Sequence, residues 1–462
     1  MSGDMAGVSA GDKVTATLAK FVASSAYAHM PVRAVDEAKK LILDCLGVML
    51  AGSRDRASKL VAEYVKDLGG AERSSVIGHG FRVPAVSAAL ANGVAAHALD
   101  YDDVTMERMT GHPSASMLPA LLAICEERGR SGQDLLAAYI LAVEVANKIG
   151  AGINPNHYEL GWHATATLGT IGATAGVCWL LRLDEEQTRQ ALGIAASQAS
   201  GLRQNFGTMT KPLHAGLASR NGVFAASLAA RGFTADRNIL ESRFGFFNTL
   251  CGANFDAERI IRNLGDPLDI VSPGICIKRY PSCHGTHWAL DAILGLVADH
   301  DVSPEQVERI EVWIPSLFAQ MLIHANPQTG LEGKFSMQYC MAAALVDREV
   351  GLRQFTDEMV QRPRVRDLIR RMTVEVGDPE PASHEPEFSV VTLTLRDNRT
   401  LSRRVTRPRG HPEVPLTTEE VAHKYRECAG LVLTPEKVKE SLDVVSKLES
   451  LDDVRRLARL LT

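Results

Sequence analysis

Five places in the chain set a lysine or a histidine where a helix is expected to begin. They are Gly111-His112-Pro113-Ser114, Gly161-Trp162-His163, Thr210-Lys211-Pro212-Leu213-His214, Lys278-Arg279-Tyr280-Pro281-Ser282 and Gly333-Lys334-Phe335-Ser336. A helix N-terminus carries free N–H groups and a partial positive charge, so it already favours anions. A cation added there lowers local stability, and conflicts of that kind gather at functional sites. Taken singly, each is an ordinary surface lysine or capping histidine. If the five ends converge, they make a cationic pocket for a small di- or tricarboxylate. Lys211, Lys278, His214, Ser282 and Lys334 are then the candidate substrate-binding groups.

The second constellation is Asp100-Tyr101-Asp102-Asp103, at the end of an Ala-rich stretch with His97 one turn earlier. Carboxylates at a helix C-terminus oppose the helix dipole. One of them can act as a base or fix a catalytic histidine or lysine. A Mg²⁺ ion held by D-x-D-D and a plain solvated turn are the other two readings. Ser282-Cys283-His284 with His287 is a weaker group, because sequence neighbours on a helix do not face each other. His97, His214 and His284 lack the spacing of a zinc site. No G-x-G-x-x-G follows a strand, so a nucleotide cofactor is not expected. Tyr339 lies among Met and Ala residues that read as core, where its hydroxyl needs a partner.

The elements that must position these groups are mostly helices. Apolar spacing of three and four predicts helices over Val14–Ser25, Pro31–Gly52, Pro84–Leu99, Ser116–Arg128, Gly132–Ile149, Thr165–Leu183, Asp184–Ser200 and Pro212–Arg231. The composition shifts near Gly265–Gly274. Beyond it, Ser282–His300 and Phe335–Asp347 read as helices. Arg309–Pro315, Met372–Val376 and Phe388–Leu395 read as strands, the last closing a hairpin with Leu401–Thr406 around Asp397–Arg399. Helices return at Thr418–Ala429, Thr434–Leu448 and Asp452–Leu461. The expected class is mainly α: a large helical domain and a smaller α+β domain. The expected division is a flexible N-terminus over 1–11, helical parts over 12–268 and 409–462, and the α+β domain over 269–408.

Composition narrows the function. In 462 residues, 50 Lys and Arg stand against 55 Asp and Glu, a net charge of −5 with no basic footprint for nucleic acid. Aromatic residues are only 5%, which favours closely packed helices over an aromatic-rich β-sandwich. The eight cysteines form no C-x-x-C pair, against a zinc ribbon or iron–sulfur cluster and in keeping with a reducing cytoplasm. The apolar run 164–181 is rich in Gly, Ala and Thr and ends at Arg182, so no membrane span is expected. The first fourteen residues have no apolar signal-peptide core.

With these residues laid out, the chain resembles the MmgE/PrpD family, which includes 2-methylcitrate dehydratases, cis-aconitate decarboxylases and an iminodisuccinate epimerase. The resemblance is carried by LDCLGVMLAGS at 43–53, ALANGVAAHALDYDD at 89–103, GHPSASMLPALLA at 111–123, GWHATATLGTIGATAG at 161–176, FGTMTKPLHAGLASRNG at 206–222, KRYPSCHGTHWALDA at 278–292 and GKFSMQYCMAAALVD at 333–347. It implies a helical domain built from both ends of the chain, an α+β lid between them, a site at their junction, a homodimer, and no metal or cofactor. Matched motif by motif, it implies that Asp100, His112, His163, Lys211, Lys278 and Tyr339 are the catalytic residues. Two departures stand out. Decarboxylases carry Thr directly after D-x-D-D, where this chain has Val104 and only then Thr105, and the loop to His112 is longer. MTGHPSAS and FGTMTKP look closer to the epimerase.

All these reactions create carbanion character beside a carboxylate, which fixed cations in a closed site can stabilise. The expectation is a cofactor-independent lyase, first a hydro-lyase on a 2-methylcitrate-like polycarboxylate. His112 or His163 would move the proton, Asp100 would assist, and Tyr339 would donate to the leaving oxygen. An epimerase, a decarboxylase, a metal-dependent hydrolase and a non-catalytic carboxylate binder are the alternatives.

Overall fold

The computed structural model describes residues 13–252, 254–378 and 387–462. The expected flexible N-terminus, 1–11, lies outside the described residues. Most of the chain is helical, and the predicted long helices form within a few residues of their expected ends. Three begin with reciprocal caps that the sequence spells out. Ser131 and Asp134 start Gly132–Ile153, Asp184 and Gln187 start Glu185–Ala196, and Thr417 and Glu420 start Thr418–Ala429. The elements that escaped the sequence reading include the helix Arg56–Leu68, the hairpin Ser74–Val76 with Phe81–Val83, and the helix Pro363–Arg370.

Buried side chains gather in two large clusters. The first draws on Val14 to Ile277 and again on Leu416 to Leu461, so both ends of the chain share one core. Gly47 permits this: a Cβ there would lie 3.1 Å from Tyr425 of the C-terminal helix. The second cluster runs from Tyr280 to Leu395. It contains a four-stranded sheet in the order Met372–Gly377, Val307–Pro315, Ser389–Leu395, Thr400–Val405. The first pair is parallel and the others antiparallel. Helices His287–His300 and Met337–Asp347 pack on this sheet.

Gly132–Ile153 is long and apolar enough to cross a membrane, but its apolar window is wholly buried among other helices. All eight cysteines are buried and unpaired.

One helix crossing matters most for function. Gly93 of Ala85–His97 meets Gly216 of Thr210–Ala229, and a Cβ on Gly93 would come within 2.7 Å of the Gly216 Cα. Only hydrogen at both positions lets the two backbones touch. The crossing brings the end of the first helix, with His97 and Asp100, against the start of the second, with Lys211.

Candidate active site

Three of the five expected cationic helix starts are real. His112 is the N-cap of Pro113–Arg128, His163 is the N-cap of Ala164–Leu180, and Lys211 sits in the first turn of Thr210–Ala229. The other two are corrected. Lys278 lies in an irregular segment, and the next helical turn starts only at His284. Lys334 follows the single turn Gly330–Gly333, while Ser336 caps the helix after it.

The centre of the site is the turn that follows Ala85–His97. Asp100 takes a left-handed φ of 52°, which an aspartate tolerates better than most side chains. Its Oδ1 accepts a hydrogen bond from Lys211 Nζ at 2.6 Å and lies 3.3 Å from Lys278 Nζ. Burial alone would raise the Asp100 carboxyl, but Lys211 and Lys278, helped by His112 and His97, hold it well below the usual range.

Two residues on, Asp102 faces two imidazoles. Its Oδ2 is 2.8 Å from His97 Nδ1 and 3.2 Å from His112 Nδ1. Burial raises this carboxyl too, and the two imidazoles more than offset it. Asp103 turns away into the helical core, where Ser114 donates to it from both N and Oγ. Burial, with Asp102 and Asp44 nearby, pushes it up to about 8 against the Ser114 hydrogen bonds, so it stays protonated at neutral pH.

These contacts fix the tautomers. His97 Nδ1–H donates to Asp102, and its Nε2 accepts from Lys211 Nζ at 3.0 Å. Burial pushes His97 down to about 3. His112 Nδ1–H donates to the Asp103 carbonyl at 2.8 Å, which leaves Nε2 free, 4.0 Å from Asp100. Burial, with Lys278 and Lys211 against the pull of Asp102, keeps His112 below its ordinary value. His163 shares a 3.0 Å Nδ1–Nδ1 contact with His214 and stacks edge-on against Phe206. Burial, then Lys211 and His97, hold it well below its ordinary value.

Asp100, His112, His163, Lys211 and Lys278 line one cavity with Val104, Met106, Phe206, Cys283, His284, Leu317 and Met321. His214 stands behind His163 and does not line it. Three candidates point elsewhere. The Tyr339 hydroxyl donates to the Gln354 carbonyl, because its helix face turns into the second core. Ser282 Oγ pairs with Thr286 Oγ1 at 2.8 Å. Lys334 Nζ donates to the carbonyls of Leu99 and Pro281. All three spend hydrogen bonds on protein partners.

The Lys211 ammonium argues against the D-x-D-D metal reading. His97, Asp100, Asp102 and His112 do bring ligand atoms within 4.8 Å of one another. The Lys211 ammonium already bonds Asp100 and His97, and Asp103 faces away. A divalent cation would meet a fixed positive charge.

Sequence reasoning noted His97 and named Asp102 within D-x-D-D, but it singled out Asp100 and gave neither of the other two a role of its own. The i, i+5 spacing across a helix end was the available signal. Val104, the departure from the decarboxylase motif, forms a two-way backbone bridge with Cys276 and puts methyl groups on the cavity wall.

Family profiles match nearly the whole chain: MmgE/PrpD N-terminal domain over residues 16–258 and MmgE/PrpD C-terminal domain over 280–450. The chain belongs to the MmgE/PrpD family. Among curated MmgE/PrpD relatives, the cis-aconitate decarboxylases of Mus musculus and Homo sapiens are 32% and 30% identical. Each alignment spans 97% of this chain and 93% or 94% of the relative. The mitochondrial 2-methylcitrate dehydratase of Yarrowia lipolytica is 24% identical over 85% of this chain and 80% of its own length. This MmgE/PrpD protein is an enzyme, a lyase like those relatives.

Proposed function

We propose that the reaction is the loss of CO₂ from a small unsaturated tricarboxylate of the cis-aconitate kind. The observation that carries this reading is the make-up of the cavity. Lys211, Lys278 and three imidazoles sit beside Val104, Met106, Leu317 and Met321. Fixed ammonium groups can hold the carboxylates that stay. An apolar surround favours the carboxylate that becomes neutral CO₂, because leaving water costs the charged ground state more than the transition state. The higher identity to decarboxylases than to dehydratases supports it too. Both observations support decarboxylation over the dehydration expected from sequence alone.

The bond from the departing carboxylate carbon to its neighbour breaks, and CO₂ leaves. The electron pair spreads into the adjoining unsaturated carboxylate, whose charge Lys211 and Lys278 stabilise. His112 Nε2 faces the cavity and the Asp100 pair, so it is the group suited to place a proton on carbon. It is neutral in the empty site. A bound polyanion raises its affinity for a proton, which it takes from water, delivers to the carbanion and later regains.

Dehydration of a 2-methylcitrate-like substrate is the second reading, favoured by the free His112 Nε2, which suits a departing hydroxyl equally well. NMR in D₂O separates the two. Incubation with cis-aconitate should lose one carboxylate carbon and place one deuteron on carbon. Growth of an alkene from 2-methylcitrate without carbon loss would assign dehydration instead. Exchange at an α-carbon of iminodisuccinate with no elimination would assign epimerisation.

A further inference from the structure

His284 is an imidazole in the cavity wall to which the mechanism above gives no work. It opens the short turn His284–Thr286, in the segment that also supplies Lys278. It is 4% exposed, and neither ring nitrogen has a hydrogen-bond partner. Its ring is held edge-on to Trp288 at 4.9 Å and tilted against His287 at 4.8 Å. Gly285 keeps the turn tight, since a Cβ there would press to 3.2 Å on Phe318. A buried imidazole with two empty nitrogens costs stability unless something else fills its hydrogen bonds.

Charge bookkeeping says what that something is. Among the cavity-lining groups, two ammonium ions face one carboxylate, Asp100. The net single positive charge falls short of a tricarboxylate. His112 already gives one nitrogen to the protein, and His163 leans on His214. The groups facing His284 are His287, Lys278, His411 and His112, all neutral or positive, so the empty site gives it no reason to hold a proton.

We propose that His284 is a specificity residue: it binds the third carboxylate of the substrate and takes up a proton as that carboxylate arrives. The assignment rests on the tricarboxylate reading above and adds the residue that distinguishes three carboxylates from two.

The test uses tricarballylate, a saturated tricarboxylate, and glutarate, its two-carboxylate counterpart, with the full chain. Calorimetry at pH 7 in two buffers of different ionisation enthalpy should show net proton uptake with tricarballylate and less with glutarate. His284→Gln keeps a hydrogen-bonding side chain but cannot be protonated. It should weaken tricarballylate at least tenfold, leave glutarate within about twofold, and lose part of the proton uptake. His284→Asn serves the same purpose if the glutamine variant does not fold, as judged by circular dichroism. The proposal is overturned if the wild type binds tricarballylate without taking up protons, or if the variant loses both ligands equally or neither. Wild type that binds no carboxylate at all would overturn the tricarboxylate reading as well. Wild type that decarboxylates normally beside an unaffected variant would remove His284 alone.

Discussion

The turn Ala98–Val104 has two faces, and buried lysines grip both. On the cavity face, Lys211 and Lys278 pair with the Asp100 carboxylate, and Asp100 Oδ2 and Asp102 Oδ1 are left without a hydrogen bond. On the underside every ammonium is tied to backbone. Lys334 holds the Leu99 carbonyl. Lys424 holds the carbonyls of Tyr101 and Lys278, both at 2.8 Å, pairs with Asp44 at 2.7 Å, and lies 3.8 Å from the Tyr101 ring centre. Lys278 serves both faces, since its Nζ also donates to the Asp100 carbonyl at 2.9 Å. Cations that satisfy a structure spend their hydrogen bonds mainly on backbone carbonyls, whereas cations kept for a ligand share one carboxylate.

This contrast breaks first at Lys211 and Lys424. Lys211→Ala should lower kcat/KM by about 10³-fold or more, with a melting temperature close to wild type, because the charge stabilisation it supplies is used in the transition state. Lys424→Met should do the reverse. It leaves Asp44 buried and unpaired, so about 3–5 kcal/mol of stability should go, seen in urea unfolding. Activity per folded molecule should change far less. Equal effects of the two substitutions on both readouts would erase the distinction.

The next contrast is between neighbouring carboxylates. Asp102→Asn removes the acceptor that orients His97 and His112, and steady-state kinetics should show a loss of about 10²-fold, in the range for general acid–base groups. Asp103→Asn replaces a carboxyl already protonated in the folded protein, and turnover should stay within a few-fold.

Asp103 also shapes the pH dependence of stability. Burial drives His157 down to about 4 and His287 down to about 3. Above pH ~6.5, these side chains are neutral folded or unfolded, and their contribution to stability is full. Below that pH the unfolded chain takes up protons that the folded chain refuses, so stability falls by about 1.4 kcal/mol per pH unit for each histidine. His97, His112, His163, His214 and His284 are shifted in the same direction. Asp103, raised to about 8, and Glu144, raised to about 7, act oppositely, since burial keeps them protonated when folded. They lose stability as pH rises toward those values. The histidines outnumber them in acid, and the carboxyls dominate above pH ~6.5. Thermal melting should therefore peak near pH ~6.5, and Asp103→Asn should flatten the decline between there and pH ~8.

The smallest effect is expected at Tyr339. Tyr339→Phe should keep turnover within about threefold and cost about 1 kcal/mol, the worth of one hydrogen bond. A large loss of kcat with unchanged stability would return this hydroxyl to the chemistry.

Much of this was legible beforehand because it is local. Ser131, Asp184 and Thr417 announced their helices through reciprocal caps. Asp397–Arg399 announced its hairpin, where Asn398 takes a φ of 65°. His112 and His163 were readable as residues at helix starts. Arg56–Leu68 was missed although Asp55 caps it, because its buried face holds only Ala57, Ser58, Ala62 and Val65 and carries little apolar signal. Tyr339 lies on the helix expected for it and Lys334 just before that helix, and only the direction of each side chain, which periodicity does not encode, takes it to backbone carbonyls.

The sequence by itself determined a mainly helical chain, a sheet in its later part, and a set of lysines, histidines and aspartates too concentrated at helix ends to be ordinary surface. Those properties follow from periodicity, capping and charge within a few residues. Which of these groups meet was decided only by tertiary structure. Gly93 against Gly216 sets the distance from Lys211 to Asp100, and the second core delivers Lys278 and His284. A side chain's role depends on what already occupies its hydrogen bonds, and those partners come from elements up to 323 residues apart.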